Sequence, residues 1–141
     1  MRASRNRWLA PILVGAAAVP FAGSAEGAPG IDPDCRGRTP TIVAIQGVRT
    51  TGTSGADVIL GTPVGDVIDG RGGDDWICGG RGNDLLHGDD GRDRLFGEAD
   101  PDRLLGGAGA DYLNGGVDFD IGKGGTGRDT ARSIERPSSI P

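Results

Sequence analysis

The sequence predicts an all-β fold, a right-handed parallel β-solenoid built from nine consecutive nonapeptides between residues 52 and 132. Every nonapeptide begins with Gly and carries Asp at its sixth place. The eighth place is Ile or Leu in the first seven nonapeptides, so three residue types share one register. A fixed period of this length indicates a repeat architecture, in which each unit buries its apolar side chain against its neighbours.

Each nonapeptide is interpreted as a turn followed by a short strand. Gly at the first, second and fourth places permits positive φ and lets carbonyl groups point inward. The sixth to ninth places are expected to be extended, with the sixth and eighth side chains inward and the seventh and ninth outward. Two nonapeptides then form one 18-residue coil with one strand in each of two parallel sheets. The predicted turn glycines are Gly52, Gly55, Gly70, Gly73, Gly79, Gly82, Gly88, Gly91, Gly106, Gly109, Gly124 and Gly127.

A disordered Gly- and Asp-rich chain is the alternative interpretation. Aromatic residues make up only 4% of the sequence, and low hydrophobicity with excess charge normally prevents folding. Disorder does not require Gly, Asp and an aliphatic residue to stay in phase, however. We therefore expect a folded solenoid when metal is bound and a disordered chain when it is absent.

The segments GGRGNDLLH, from Gly79, and GGAGADYLN, from Gly106, resemble the G-G-x-G-x-D-x-U-x pattern of RTX calcium-binding repeats, in which U is apolar. The resemblance implies a β-roll in which the sixth-place Asp of one turn and the Asp eighteen residues later bracket Ca²⁺, together with backbone carbonyl oxygens. Oxygen ligands without His or Cys favour Ca²⁺ over transition metals. The ligands implied are Asp57, Asp66, Asp75, Asp84, Asp93, Asp102, Asp111, Asp120 and Asp129.

Alternate nonapeptides fall on opposite sides of such a roll and form two rows of turns. In the odd row, which begins at residue 52, the fourth place is always Gly. In the even row, which begins at residue 61, it is Val64, Gly82, Asp100 and Asp118. A β-branched residue is strongly disfavoured at positive φ, and Asp less so. We expect four strong sites in the odd row and three weaker ones in the even row; occupancy of only the middle sites is the alternative.

The two cysteines, Cys35 and Cys78, predict a disulfide if the chain is exported. Cys78 occupies an outward ninth place in an apolar patch with Trp76 and Phe96. Our hypothesis is that residues 31–51 cap this face and the open end of the solenoid, tethered by Cys35–Cys78. Two free thiols or an intermolecular bridge remain the alternative.

The N-terminus is interpreted as a secretory signal peptide. Three arginines precede the mostly apolar run of residues 8–22, and small residues follow at 23–25. A retained membrane anchor is the competing interpretation, but the run is shorter than the roughly 20 apolar residues that span a bilayer. The predicted division is a leader (1–25), a linker and cap (26–51), the calcium-binding roll (52–132) and a tail (133–141). The expected location is outside the cell.

The C-terminal end of the repeats departs from the pattern, because Gly122 takes the aliphatic eighth place and Ile121 lies at the seventh. Residues 118–135 resemble small exported calcium-binding proteins of actinobacterial type, which often carry Cys at the positions of Ile121 and Ile134. The resemblance implies that an apolar contact between these two residues replaces a covalent link.

Catalytic and nucleic-acid-binding functions are not expected. The only histidine, His87, has no second His or free Cys nearby in the repeat pattern, and hydrolase motifs are absent from the sequence. A net charge of −5 disfavours phosphate binding. The expected function is an exported protein that folds on binding Ca²⁺. The alternatives are a calcium-dependent adhesion module for a polysaccharide or cell surface, using the face of Trp76, Phe96 and Tyr112, or a non-catalytic accessory of a secreted enzyme.

Overall fold

The structure is a computed structural model that describes residues 35–134. The predicted leader, residues 26–34 of the linker and residues 135–141 of the tail lie outside the described residues. The described chain contains strands and no helix. The strands are β1 (Ile42–Val43), β2 (Thr50–Thr51), β3 (Val58–Leu60), β4 (Val67–Asp69), β5 (Trp76–Gly80), β6 (Leu85–Asp90), β7 (Arg94–Glu98), β8 (Arg103–Ala108), β9 (Tyr112–Gly116), β10 (Ile121–Thr126) and β11 (Thr130–Arg132).

The strands form two parallel sheets, which confirms the predicted all-β parallel β-roll. One sheet has the order β1-β3-β5-β7-β9-β11 and the other β10-β8-β6-β4-β2. Ile59 pairs with Ile77, which occupies the same place 18 residues later, and the other repeat strands keep this offset. Two nonapeptides therefore form each coil, as the sequence predicted.

The core is a column of eighth-place aliphatic side chains, one from each of the seven strands β3 to β9. All seven have no exposed surface, and Ile42 of β1 extends the column at the N-terminal end. The seven are Ile59, Ile68, Ile77, Leu86, Leu95, Leu104 and Leu113. A core this narrow buries little apolar surface, so a small protein of this kind requires a further source of stability, such as a bound metal or a disulfide.

First-place glycines have a different role from the one expected. None of them, from Gly52 to Gly124, has a positive φ. A Cβ built on Gly88 would lie only 2.6 Å from the carbonyl oxygen of Gly106 in the next coil. Glycine is therefore required here because successive coils approach closely, and not because the turn needs a left-handed residue. Middle strands such as β6 continue beyond the ninth place into the following turn.

The N-terminal segment both covers one face and extends the roll. Cys35 and Cys78 form a disulfide and are fully buried in a cluster with Phe96, beneath the turn at residues 35–38. Strands β1 and β2 then add one strand to each sheet at the N-terminal end. The described part of the predicted cap therefore continues the solenoid; residues 31–34 of that cap lie outside the described range.

Ile134 closes the C-terminal end of the core. Its side-chain carbon atoms lie 3.0–3.1 Å from the point that a Cβ on Gly122 would occupy. The side chain thus fills the space that the missing aliphatic residue leaves in the column. The expected partner was Ile121, but that residue is 40% exposed, and the structure places Ile134 over Gly122 instead.

We predict that replacing both Cys35 and Cys78 with Ser lowers the free energy of unfolding in saturating Ca²⁺. The disulfide closes a loop with a sequence separation of 43 residues, for which the chain-entropy model gives about 4 kcal/mol. Urea denaturation followed by circular dichroism measures the change. An unchanged urea midpoint would show that the tether does not stabilise the roll.

Candidate metal centres

The sixth-place aspartates form two columns, one on each side of the roll. The backbone N–H of each Asp donates to Oδ1 of the Asp eighteen residues later, at 2.8–3.0 Å. All seven pairs that the sequence predicted to share a cation are therefore brought together. The pairs are Asp57/Asp75, Asp75/Asp93, Asp93/Asp111, Asp111/Asp129, Asp66/Asp84, Asp84/Asp102 and Asp102/Asp120.

The second carboxylate oxygen, Oδ2, has a different environment from Oδ1. In six of these aspartates Oδ2 is buried and has no hydrogen-bond partner in the described part of the chain. The six are Asp75, Asp84, Asp93, Asp102, Asp111 and Asp129. Burying a carboxylate oxygen without a partner is strongly unfavourable, so a repeated orphan of this kind indicates that a cation completes the site.

Backbone carbonyl oxygens border the same space as Oδ2. The point where a Cβ on Gly88 would lie is 2.3 Å from Oδ2 of Asp93 and 2.6 Å from the oxygen of Gly106. Equivalent carboxylate and carbonyl oxygens surround the first-place glycines Gly70, Gly79, Gly97 and Gly106. A donor set of carboxylate and carbonyl oxygens fits Ca²⁺.

Side chains alone do not supply a complete coordination shell. Among residues 35–134, no group of three or more His, Cys, Asp and Glu side chains could hold a metal ion. The sites that fit a cation here combine aspartate oxygens with backbone oxygens from adjacent coils. This composition agrees with the shell that the RTX resemblance implies.

The first turn of each row departs from the later ones. Thr53 donates from N and Oγ1 to Oδ2 of Asp57, at 2.7 and 2.9 Å. The backbone N of Thr62 donates to Oδ2 of Asp66 at 2.6 Å. Oδ2 of these two carboxylates therefore has protein donors, unlike Oδ2 of the six aspartates named above. Thr at the second place of the first two nonapeptides is the sequence signal for these donors, and the repeat pattern assigns no role to that side chain.

Backbone conformation separates the same two turns from the others. The fourth-place residues Gly55 and Val64 lack positive φ, whereas every later fourth-place residue has it. The expectation of positive φ throughout the odd row was thus wrong at Gly55. The structural division runs between the first and later turns of each row, because the Thr contacts occur only in the first turns.

Aspartate replaces the fourth-place glycine in the even row without loss of the turn. Asp100 and Asp118 adopt φ of 75° and 79°. Oδ2 of Asp100 also accepts from the backbone N of Gly82 at 2.9 Å, which links two coils. Weaker even-row sites were expected because a fourth-place residue other than Gly disfavours positive φ, and that reason does not apply at Asp100 and Asp118. The weaker calcium affinity of the even row stays a prediction.

Burial changes the acidity of the columns. Desolvation raises the pKa of Asp84 to about 8, of Asp75 and Asp102 to about 7 and of Asp93 to about 6. The backbone hydrogen bond from the adjacent coil opposes this increase, and the neighbouring carboxylates in the column add to it. In the metal-free protein the carboxyl groups of each column are therefore either protonated and neutral, or ionised and mutually repelling. A bound cation would replace those protons.

A family model described as the RTX calcium-binding nonapeptide repeat, with four copies, matches residues 51–86 and 87–122. The match spans half of the chain. Such repeats bind Ca²⁺, and the buried aspartate columns fit that ion. The comparison with curated proteins found no match.

We predict that Gly88→Ala destabilises the roll in saturating Ca²⁺ by about 1–3 kcal/mol, because the new Cβ would clash with Oδ2 of Asp93 and the oxygen of Gly106. Gly55→Ala is the matched control in the same row. Its Cβ would meet only Thr53 Oγ1, at 3.8 Å, and Gly55 lacks positive φ. Urea denaturation measures both variants. Equal effects would contradict a specific role for the first-place glycine.

We predict that the metal-free roll becomes more stable as the pH falls from about 8 to about 4. The pKa values of Asp75, Asp84, Asp93 and Asp102 lie above the ordinary value of 3.8, so the folded state binds more protons across this range. Their stabilising contribution is complete below the unfolded pKa and is lost as the pH rises through the folded values. Circular dichroism of calcium-free protein should show strand content increasing on acidification. A loss of strand content over this range would refute the prediction.

Proposed function

This chain belongs to the RTX calcium-binding nonapeptide repeat family, and we propose that it is an exported protein whose folding is its response to Ca²⁺. In the calcium-rich exterior the ion joins successive coils and converts a flexible acidic chain into a stiff roll. The folded roll then presents the outward side chains of its two sheets in fixed positions.

The observation that carries this proposal is the repeated buried Oδ2 without a hydrogen-bond partner. It recurs at the same place in successive coils on both sides of the roll, for example at Asp84 and Asp93. The narrow column of aliphatic side chains contributes little apolar burial to offset this cost. A divalent ion between coils both satisfies the oxygen and cancels the repulsion within the column.

The concentration of calcium explains why folding would follow export. Extracellular calcium modules bind at about 10⁻⁴–10⁻³ M, far above the calcium concentration of the cytosol. The chain would therefore remain unfolded until it reaches the exterior. The disulfide Cys35–Cys78 supports this location, because disulfides persist in oxidising compartments. The proposed leader at residues 1–25 supplies the route.

The proposed activity involves no catalysis. RTX calcium-binding repeats are generally non-catalytic. The single histidine of the sequence, His87, lies at an outward ninth place, with Nδ1 3.7 Å from Oδ1 of Asp69.

No helix within residues 35–134 has the length and apolar character needed to cross a membrane.

We predict that the mature protein, residues 26–141, converts from coil to strand when Ca²⁺ is added at pH 8, and that Mg²⁺ does not cause this change. Mg²⁺ demands a stricter octahedral shell and loses its waters reluctantly. Far-UV circular dichroism at increasing metal concentration measures the transition. A protein that is fully folded and metal-free after exhaustive chelation at pH 8 would contradict the proposed function.

A matched pair of variants tests which aspartates bind the ion. We predict that Asp93→Asn raises the calcium midpoint by about tenfold or more, because it removes charge from an oxygen that has no protein donor. Asp57→Asn should leave the number of bound ions unchanged, because Thr53 already donates to Oδ2 of Asp57. Metal analysis of the folded variants gives the number of ions. Loss of an ion in Asp57→Asn would show that the Thr contact does not replace the metal.

A further inference from the structure

The outer face of the six-stranded sheet carries a groove that we call the arginine groove. It has a volume of about 430 Å³ and crosses strands β5, β7, β9 and β11 beside the N-terminal turn. The residues that line it are Arg36, Trp76, Arg94, Phe96, Tyr112, Asn114 and Arg132. Three of them are arginines and none is acidic, although the repeats contain 16 acidic and 8 basic residues.

Aromatic side chains form a fixed floor for the groove. The ring centroid of Phe96 lies 5.6 Å from that of Trp76 and 5.9 Å from that of Tyr112. Phe96 is buried against the disulfide Cys35–Cys78, which anchors the floor to the N-terminal turn. A groove with so constrained a floor loses little conformational entropy when it takes up a ligand.

Guanidinium groups cover the faces of these rings. Cζ of Arg38 lies 3.9 Å from the Trp76 centroid, and Cζ of Arg94 lies 4.9 Å from it. Cζ of Arg36 lies 4.8 Å from the Phe96 centroid. Nε of Arg36 also lies 3.7 Å from Oε1 of Glu98, so the candidate carboxylate-binding groups of the groove are Arg94 and Arg132. A guanidinium over an aromatic ring can still form bidentate bonds to a carboxylate through its N–H groups. The covered ring faces of Trp76 and Phe96 are poorly suited to stacking nucleic-acid bases, which require an open aromatic surface.

The spacing of the arginines favours an extended ligand. Arg94 lies on β7 and Arg132 on β11, with β9 between them, and the strand register places Arg132 two residues further along the strand direction. Two strand spacings and two residues along a strand put their backbones roughly 12 Å apart. The long arginine side chains can therefore reach carboxylates that are about one disaccharide unit apart. Asn114 lies on the intervening strand and offers an amide that can bond to a hydroxyl group.

We propose that the arginine groove binds an acidic polysaccharide that carries one uronic acid carboxylate in each disaccharide. The guanidinium groups of Arg94 and Arg132 bind successive carboxylates, and Asn114 and Tyr112 bond to the hydroxyl groups between them. The groove uses outward seventh and ninth places, so its residues are separate from the inward aspartates that fit calcium. Calcium binding and saccharide binding can thus be tested independently.

The test uses a hyaluronan hexasaccharide, which has one glucuronate in each disaccharide, and the same oligosaccharide with its carboxylates methyl-esterified. The mature protein, residues 26–141, is measured in saturating Ca²⁺ at about 150 mM salt. It contains a single tryptophan, Trp76, whose fluorescence reports directly on the groove. The variants are Arg94→Gln and Arg132→Gln. The matched control is Arg103→Gln, which occupies the same seventh place as Arg94 but lies on the other sheet.

We expect the hexasaccharide to bind the unaltered protein, and the ester to bind at least about tenfold more weakly, because charge-assisted hydrogen bonds are lost. Arg94→Gln and Arg132→Gln should each weaken binding by a similar factor, and Arg103→Gln should not. The calcium midpoint should stay unchanged in all three variants, which separates a damaged groove from a failure to fold.

Absence of hexasaccharide binding would overturn the proposal, as would equal affinity for the ester. Equal weakening by Arg103→Gln would show that only the overall charge matters. Tighter binding of hexaglutamate or of oligothymidylate would assign the groove to an acidic peptide or to a nucleic acid instead.

Discussion

The structure depends on carboxylates stacked between coils in a desolvated interior. From the second turn of each row onward, the sixth-place Asp joins two coils through Oδ1, which accepts the N–H of the Asp one coil earlier. The same stacking brings like charges together and leaves Oδ2 of six aspartates, such as Asp84 and Asp93, without a hydrogen-bond donor among residues 35–134. The groups that link the coils therefore also oppose their association until protons or a cation neutralise them. Because the apolar column is only one side chain wide in each strand, hydrophobic burial has little capacity to override that opposition.

The contacts that stabilise the roll without metal are concentrated at its N-terminal end. At the N-terminal end, Thr53 and Thr62 donate to the carboxylates of their own turns, and the disulfide ties residue 35 to β5. Strands β1 and β2 lengthen both sheets there, and Ile42 extends the core. The turns beyond β5 have neither the Thr donors nor a covalent tether. The N-terminal coil is thus the part least dependent on metal, and it offers an ordered edge on which later coils can add as calcium binds.

The period of the sequence was sufficient to predict the coil length, the two sheets and the inward side chains, because a strict repeat allows only one register. The period did not reveal why each recurrent place in the repeat holds its particular residue. The first-place glycine excludes a Cβ from a close carbonyl contact, which involves a residue 18 positions away and is invisible in a single nonapeptide. Arg71, Asp89 and Glu98 have positive φ at the second place, where the sequence suggested only Gly. Coil stacking imposes that conformation despite the local preference of these residues.

The repeat constrains its inward places far more than its outward ones. Gly, Asp and the aliphatic residue each contact the next coil, so a change at any of them disturbs a metal site or the core. The seventh and ninth places only have to extend a strand, and in this chain they vary from Trp76 to Asn114 on a single sheet. Chemistry specific to this protein can therefore accumulate on the outer faces without affecting calcium binding. The repeat does not require arginine and aromatic residues on the outer face of the six-stranded sheet, yet this acidic protein concentrates them there. That face can therefore recognise a partner without any change to the calcium sites.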